Sequence, residues 1–135
     1  MPFQAPRGTF DILPDEEEIW NKVQQACFET ARLFGYRYIE TPVFEESGLF
    51  QRTVGENTDI VEKEMYSFDD KGGENISLRP ENTAGVCRAF IENGLHNTTL
   101  PSRLFYYGPM FRYERPQKGR YRQFHQFGIE CIGEA

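Results

Sequence analysis

The stretch FRYERPQKGRYRQFHQFGIE, residues 111–130, constrains the fold more than any other part of this chain. Two aromatic-rich runs of alternating polarity flank a turn that holds Pro116 and Gly119, the pattern of a β-hairpin. Strands are predicted over Leu104–Tyr107, Met110–Glu114 and Gln123–Ile132. Alternate strand residues share a face, so Met110, Arg112 and Glu114 point together, as do Phe124, Gln126, Gly128 and Glu130 on the returning strand. Gln126 and Glu130 are four residues apart, roughly 13 Å along a strand, and their side chains can lean from both ends over the space left by Gly128. Two readings stay open. Such charges are commonly a plain solvated face, but a ring of opposite charges around a glycine also suits a zwitterion.

Between Arg112 and Arg122 lie five basic residues, Arg112, Arg115, Lys118, Arg120 and Arg122, against one acid, Glu114. The whole chain carries a net charge of −6, which argues against a general nucleic-acid binder. The positive charge is instead concentrated, and the acidic surroundings would focus a polyanion onto one segment. Guanidinium groups fork onto phosphate oxygens, and Phe124 or Tyr121 offers an aromatic face to a nucleobase. A solvated basic loop fits the same composition.

Upstream, Pro2, Pro6, Gly8 and Pro14 mark an extended lead-in. A helix is predicted over Asp15–Phe34, with Ile19, Trp20, Val23, Ala26, Cys27, Thr30, Ala31 and Phe34 on one stripe, Asp15 and Glu18 at its cap, and Gly35 as its stop. Tyr36–Glu40 reads as a strand that Pro42 bends away, and Glu64–Phe68 with Ile76–Arg79 bracket DDKGGE as a second hairpin. After Pro80 a second helix starts near Thr83, turns Val86, Cys87, Phe90 and Ile91 inward and stops at Gly94. These elements make one α+β unit, a mostly antiparallel sheet flanked by helices.

At 135 residues with 39% hydrophobic content, one domain with a real core is expected. Cys27, Cys87 and Cys131 are odd in number and widely spaced, which fits neither a disulfide framework nor a zinc site. No stretch has the length or apolarity of a signal peptide or a membrane span. A cytoplasmic protein with no membrane attachment is the expectation.

The residue 111–130 stretch resembles, nearly residue for residue, the second signature motif of histidyl-tRNA synthetases, which are class II aminoacyl-tRNA synthetases. RGTFDILP at 7–14, LFQRTVGENTDIVEKEMYSF at 49–68 and LRPENTAGVCRAF at 78–90 agree in order. The resemblance covers essentially the whole chain but only about the first third of such an enzyme. It implies a partial class II catalytic domain over residues 1–135, bearing the first and second motifs. The third motif with its ATP-binding arginine, a second histidine-recognition segment and the anticodon-binding domain are not in the sequence, so the chain alone is expected not to form histidyl-adenylate.

Residue by residue, the resemblance implies that Arg112 bridges the ATP α-phosphate and the histidine carboxylate. Glu114 would accept from the adenine amino group, Arg120 would hold the outer phosphates, and Phe124 would stack on adenine. Glu81, Thr83, Gln126 and Glu130 would hold histidine, since an ammonium group needs acceptor oxygens; helix capping is the competing role for Glu81 and Thr83. Gln117 and Arg122 would meet the acceptor end of tRNA(His). Strand parity puts His125 on the opposite face, which assigns it a packing or hydrogen-bonding role rather than a catalytic one. Magnesium would arrive with ATP, with no protein metal site. Asn82 stands where the family usually has glycine, and asparagine's tolerance of left-handed backbone would keep that turn. A homodimer through the first motif is also implied. Two alternatives stand beside this reading: a non-catalytic synthetase-like subunit that regulates histidine biosynthesis, and a plain RNA-binding hairpin.

Overall fold

The computed structural model describes residues 2–54, 64–115, 118 and 120–133. The first predicted helix is present as α1, Glu17–Leu33, entered through a 3₁₀ turn at Pro14–Glu16. Proline pre-sets the backbone of that turn, so Glu16 rather than Asp15 occupies the N-cap, and no side chain caps it. The helix ends as predicted: Gly35 sits at φ +82°, and the Tyr36 N–H reaches back to the Ala31 carbonyl at 3.0 Å. Its inward stripe is narrower than the periodicity suggested. Trp20, Cys27, Phe28 and Ala31 are covered, whereas Ile19, Val23, Ala26, Thr30 and Phe34 are exposed. Phe28, absent from the predicted stripe, sets the rotation by packing edge-on to Phe105 with centroids 5.0 Å apart.

The strand expected at Tyr36–Glu40 shortens to β1, Arg37–Tyr38. β2, Phe44–Glu46, and α2, Ser47–Val54, follow unannounced, the first too short to display alternation. The DDKGGE hairpin forms between β3, Ser67–Asp69, and β4, Asn75–Leu78, with Asp70 Oδ1 accepting from the Gly72 and Glu74 N–H groups at 2.9 Å. α3 spans Thr83–Glu92 and stops before Gly94 at φ +65°. Val86 and Phe90 are buried and Cys87 half-buried, but Ile91 is 70% exposed. Ala84 and Ala89 share the buried face instead, which leaves Ile91 on the far side of the helix.

Two strands predicted as separate, Leu104–Tyr107 and Met110–Glu114, are one: β5, Ser102–Phe111, paired antiparallel with β6, Gln123–Ile132, from Ser102↔Ile132 to Phe111↔Gln123. Gly108 and Pro109 do not break it. The Pro109 carbonyl accepts from Arg79 Nε at 2.8 Å, so this residue's main chain faces the edge away from β6, where its missing N–H costs no ladder bond. β1 pairs parallel to β5 through Arg37↔Leu104 and Tyr38↔Phe105. The expected single sheet is thus two three-stranded sheets, β1-β5-β6 and β2-β4-β3, in which all pairings but β1-β5 are antiparallel.

Strand parity then divides the core. Leu104, Tyr106 and Met110 turn to one face and cluster with Val86 of α3, joined by Ile39, Leu95, Phe124 and Ile132. Phe105 and Tyr107 turn to the other, against Phe28 of α1. The long hairpin is therefore sandwiched between two helices, and its α3 face carries the polar residues singled out above.

Candidate functional site

β6 alternates strictly, with Phe124, Gln126, Gly128, Glu130 and Ile132 half-buried and the intervening residues exposed. Registered pairs put Met110 beside Phe124, Gly108 beside Gln126, Tyr106 beside Gly128 and Leu104 beside Glu130. The β6 members of the predicted facial set thus stand in one row with Met110, whereas the strand predicted to Glu114 ends at Phe111 and leaves Arg112 and Glu114 beyond it. At its open end, Arg112, Glu114, Arg120 and Phe124 line a cleft of about 490 Å³ with Tyr121 and His125. The Arg112 guanidinium lies 5.4 Å from the Phe124 ring centroid, a cation–π distance. Its Nε donates to the Pro80 carbonyl at 3.0 Å, and among the described residues the two terminal nitrogens have no hydrogen-bond partner, a fork suited to an anionic oxygen pair.

Further along the row, α3 presents its N-terminal turn to the hairpin. Glu81 accepts from the Thr83 N–H at 2.6 Å and the Ala84 N–H at 3.2 Å, so the capping role foreseen for it is realised. Thr83 does not cap; its hydroxyl donates to Glu130 Oε1 at 2.6 Å. Tyr106 donates to the same oxygen at 3.3 Å. Burial, with the charge of Glu130 adding to it, pushes the Tyr106 phenol upward, so the group stays a neutral donor. Gln126 Oε1, between these two ends, is buried without a hydrogen-bond partner among the described residues. A buried amide oxygen left unpaired costs about 1–3 kcal/mol unless a ligand donor meets it, and an ammonium or ring N–H supplies such a donor.

Tyr106 was not foreseen from the sequence. A Cβ on Gly128 would fall within 2.3 Å of the Tyr106 hydroxyl oxygen, so the glycine does not open an empty floor; it makes room for the phenol. Only cross-strand register reveals this, although Gly128 itself was the available signal. Asn82 also departs from expectation. It has φ −119°, not a left-handed backbone, and is buried at 2% exposure with Oδ1 accepting from Thr41 Oγ1 at 2.9 Å. Asparagine is kept there by its side-chain bonds.

Arg122 does not project freely. Its Nε donates to the Glu114 carbonyl at 3.0 Å, its guanidinium lies 4.2 Å from the Tyr113 ring centroid, and its stem packs on Gly8. Gln117 lies outside the described residues. Although His125 is partly exposed, its ring faces α1, 4.9 Å from Trp20 and 5.8 Å from Tyr107, and the partial loss of water there lowers its pKa from 6.5. The neutral imidazole is the form the fold prefers. Stability from this group is present above pH 6.5 and is lost as pH falls through the depressed native value. A His125→Gln variant should therefore show a flatter melting-temperature profile between neutral and mildly acidic pH; an unchanged slope would reject this origin. Among the described residues no three His, Cys, Asp or Glu side chains group as metal ligands, and no helix is long and apolar enough to cross a membrane.

The fold, in which the β5-β6 hairpin lies under the N-terminus of α3, is that of a class II aminoacyl-tRNA synthetase catalytic domain. Residues 8–135 match the family described as Histidyl-tRNA synthetase, and the chain belongs to that family. It is 57% identical over 133 residues to the histidine–tRNA ligase of Dehalococcoides mccartyi, covering 98% of this chain and 32% of the relative. Apo histidyl-tRNA synthetase of S. aureus superposes with a TM-score of 0.81 at 42% identity, covering 98% of this chain and 30% of that one. A Bacillus halodurans protein titled as an ATP phosphoribosyltransferase regulatory subunit/histidyl-tRNA synthetase gives 0.80 at 30% identity, covering 99% and 34%. The chain thus spans about a third of the length of its curated relatives.

Proposed function

We propose that the protein carrying this chain activates histidine with ATP and transfers it to the 3′ end of tRNA(His), and that residues 1–135 are the N-terminal portion of its class II catalytic domain. One observation carries the reading: a cleft built from Arg112, Glu114, Arg120 and Phe124 continues, on the same strand face, into the unpaired Gln126 oxygen and the Thr83–Glu130–Tyr106 cluster. Adenine would stack on Phe124 with its amino group toward Glu114, and Arg120 would hold the outer phosphates. The histidine ammonium and imidazole would meet Glu81, Gln126 and Glu130. As the histidine carboxylate attacks the α-phosphorus and pyrophosphate departs, the free fork of Arg112 offsets the charge gathering on the α-phosphate oxygens. Magnesium, bound through ATP, would supply further charge neutralisation on the phosphates. Gln117 and Arg122 are assigned to the acceptor end, Arg122 after release of its contact with Tyr113.

A cytoplasmic homodimer fits the reading. Leu33 and Phe34, at the end of α1, and Phe44, in β2, are large apolar side chains left exposed. The regulatory alternative draws on the Bacillus halodurans title, at 30% identity against 57% for the ligase of Dehalococcoides mccartyi. Co-purification with a phosphoribosyltransferase, together with no binding of acceptor stems, would favour it.

The test is histidine-dependent ATP–pyrophosphate exchange by the protein, with charging of tRNA(His) as the second readout. No exchange above that seen with other amino acids would sink the proposal. Phe124→Leu is expected to raise the KM for ATP about tenfold, because losing a base-stacking face costs roughly 1–3 kcal/mol. The KM for histidine should hardly move.

A further inference from the structure

Arg79 is 4% exposed, yet it has no carboxylate in ion-pair contact among the described residues. Its guanidinium is spent on oxygen dipoles. Nε donates to the Pro109 carbonyl at 2.8 Å, and Nη1 donates to the Thr41 carbonyl at 3.1 Å and to Asn82 Oδ1 at 3.3 Å. Gly108 clears the space, since a Cβ there would lie 2.7 Å from Arg79 Nη2. Glu40 and Glu45 act on the guanidinium only through space, without contact, and burying a cation with no contacting counter-ion is expensive, so an apolar residue would join the two sheets at less cost. The geometry shows what the cation secures. The Arg79 carbonyl accepts from the Phe111 N–H at 2.8 Å, and the adjoining Pro80 carbonyl accepts from Arg112 Nε at 3.0 Å. The dipeptide Arg79–Pro80 is therefore laced to the end of β5 and to Arg112, which follows it, by three bonds, one of them made by the Arg79 side chain.

We propose that Arg79, held by Asn82, is the positioning residue for Arg112: its buried fork fixes the Pro80 carbonyl that anchors Arg112 Nε and so aims the terminal nitrogens into the cleft. The inference builds on the adenylate-forming reading for its catalytic consequence, but not for its structural content. Lysine keeps the charge, but its single nitrogen cannot span acceptors that meet two different nitrogens of the guanidinium. Asn82→Ala removes the clamp while leaving Arg79 in place.

The experiment follows the Arg112 Nε–H by ¹⁵N NMR, assigned through its loss in Arg112→Lys, in wild type, Arg79→Lys and Asn82→Ala. In wild type this proton should exchange with solvent at least about tenfold more slowly than that of an exposed arginine such as Arg37. Both variants should lose the protection while Val86 methyl resonances keep their positions. Arg79→Lys should also lower histidine-dependent pyrophosphate exchange roughly 10- to 100-fold, as a misplaced catalytic group does, with the KM for histidine little changed. Added to Arg112→Ala, it should lower exchange no further. Unchanged Arg112 protection in both variants, or losses that multiply in the double variant, would overturn the proposal. A full-length wild-type protein, carrying this chain, without exchange activity would reject the synthetase reading, and the NMR comparison would still decide the role of Arg79.

Discussion

Replacing Arg112 with glutamine should lower histidine-dependent pyrophosphate exchange about 10²- to 10³-fold, the usual cost of deleting one donor aimed at charge that develops in the transition state. The loss should fall mainly on kcat. Among the described residues the Arg112 side chain hydrogen-bonds only through Nε, on the Pro80 carbonyl, and it faces Phe124 across 5.4 Å. Its terminal nitrogens can then take a partner that arrives with the reaction. Folding depends on it little: one net hydrogen bond contributes about 0.5–1.5 kcal/mol, so the melting temperature should drop by only a few degrees. Should activity and melting temperature instead collapse together, Arg112 would be a structural residue and its assignment to catalysis would fail.

The second large effect is expected from Gly128→Ala. The added methyl would sit within 2.6 Å of three atoms of the Tyr106 phenol, closer than real carbon contacts allow, so either the phenol leaves or β6 shifts away from β5. Overpacking of this kind costs about 1–3 kcal/mol. Displacing Tyr106 also strips Glu130 of one of its two donors and loosens the carboxylate assigned to histidine. Thermal denaturation and histidine affinity should therefore fall together, the latter roughly tenfold for the loss of one hydrogen bond to a charged group. Gly128→Ala combined with Tyr106→Ala should recover most of the melting temperature but not the affinity. If the single variant binds histidine normally, Tyr106 has no part in the pocket.

These effects rest on features that were unequally legible in the sequence. Arg112, Phe124, Gln126 and Glu130 could be put on one face because side-chain parity in a strand is exact and the hairpin is long. The helix ends at Gly35 and Gly94 were legible because positive φ selects glycine. What escaped depends on contacts between distant segments. Tyr106 joins the site only through its pairing with Gly128, 22 positions later. Arg79 reads as a polar strand end, yet it is the buried joint between two sheets, and the Gly108-Pro109 step looks like a break only until Arg79 is seen to occupy that edge. Asn82 misled in the opposite direction: its backbone tolerance suggested a turn, while its side chain was being used as an acceptor. α2 was missed because it leaves a three-residue strand with no turn residue between them.

The one parallel pairing among the described residues has a kinetic consequence. β5 and β6 close over a short loop and can zip early, as local hairpins do. β1 reaches β5 only by bringing Arg37 to Leu104, and α3 must close onto β6 before Thr83 finds Glu130. Loop-closure entropy is paid in full before these distant contacts return anything. The hairpin should thus be native-like in the folding transition state, with high φ-values at Phe105 and Phe127 and low ones at Tyr38 and Thr83. The wall assigned to ATP would form with the nucleus; the wall assigned to the amino acid would be assembled last and, by the same order reversed, be the first to open.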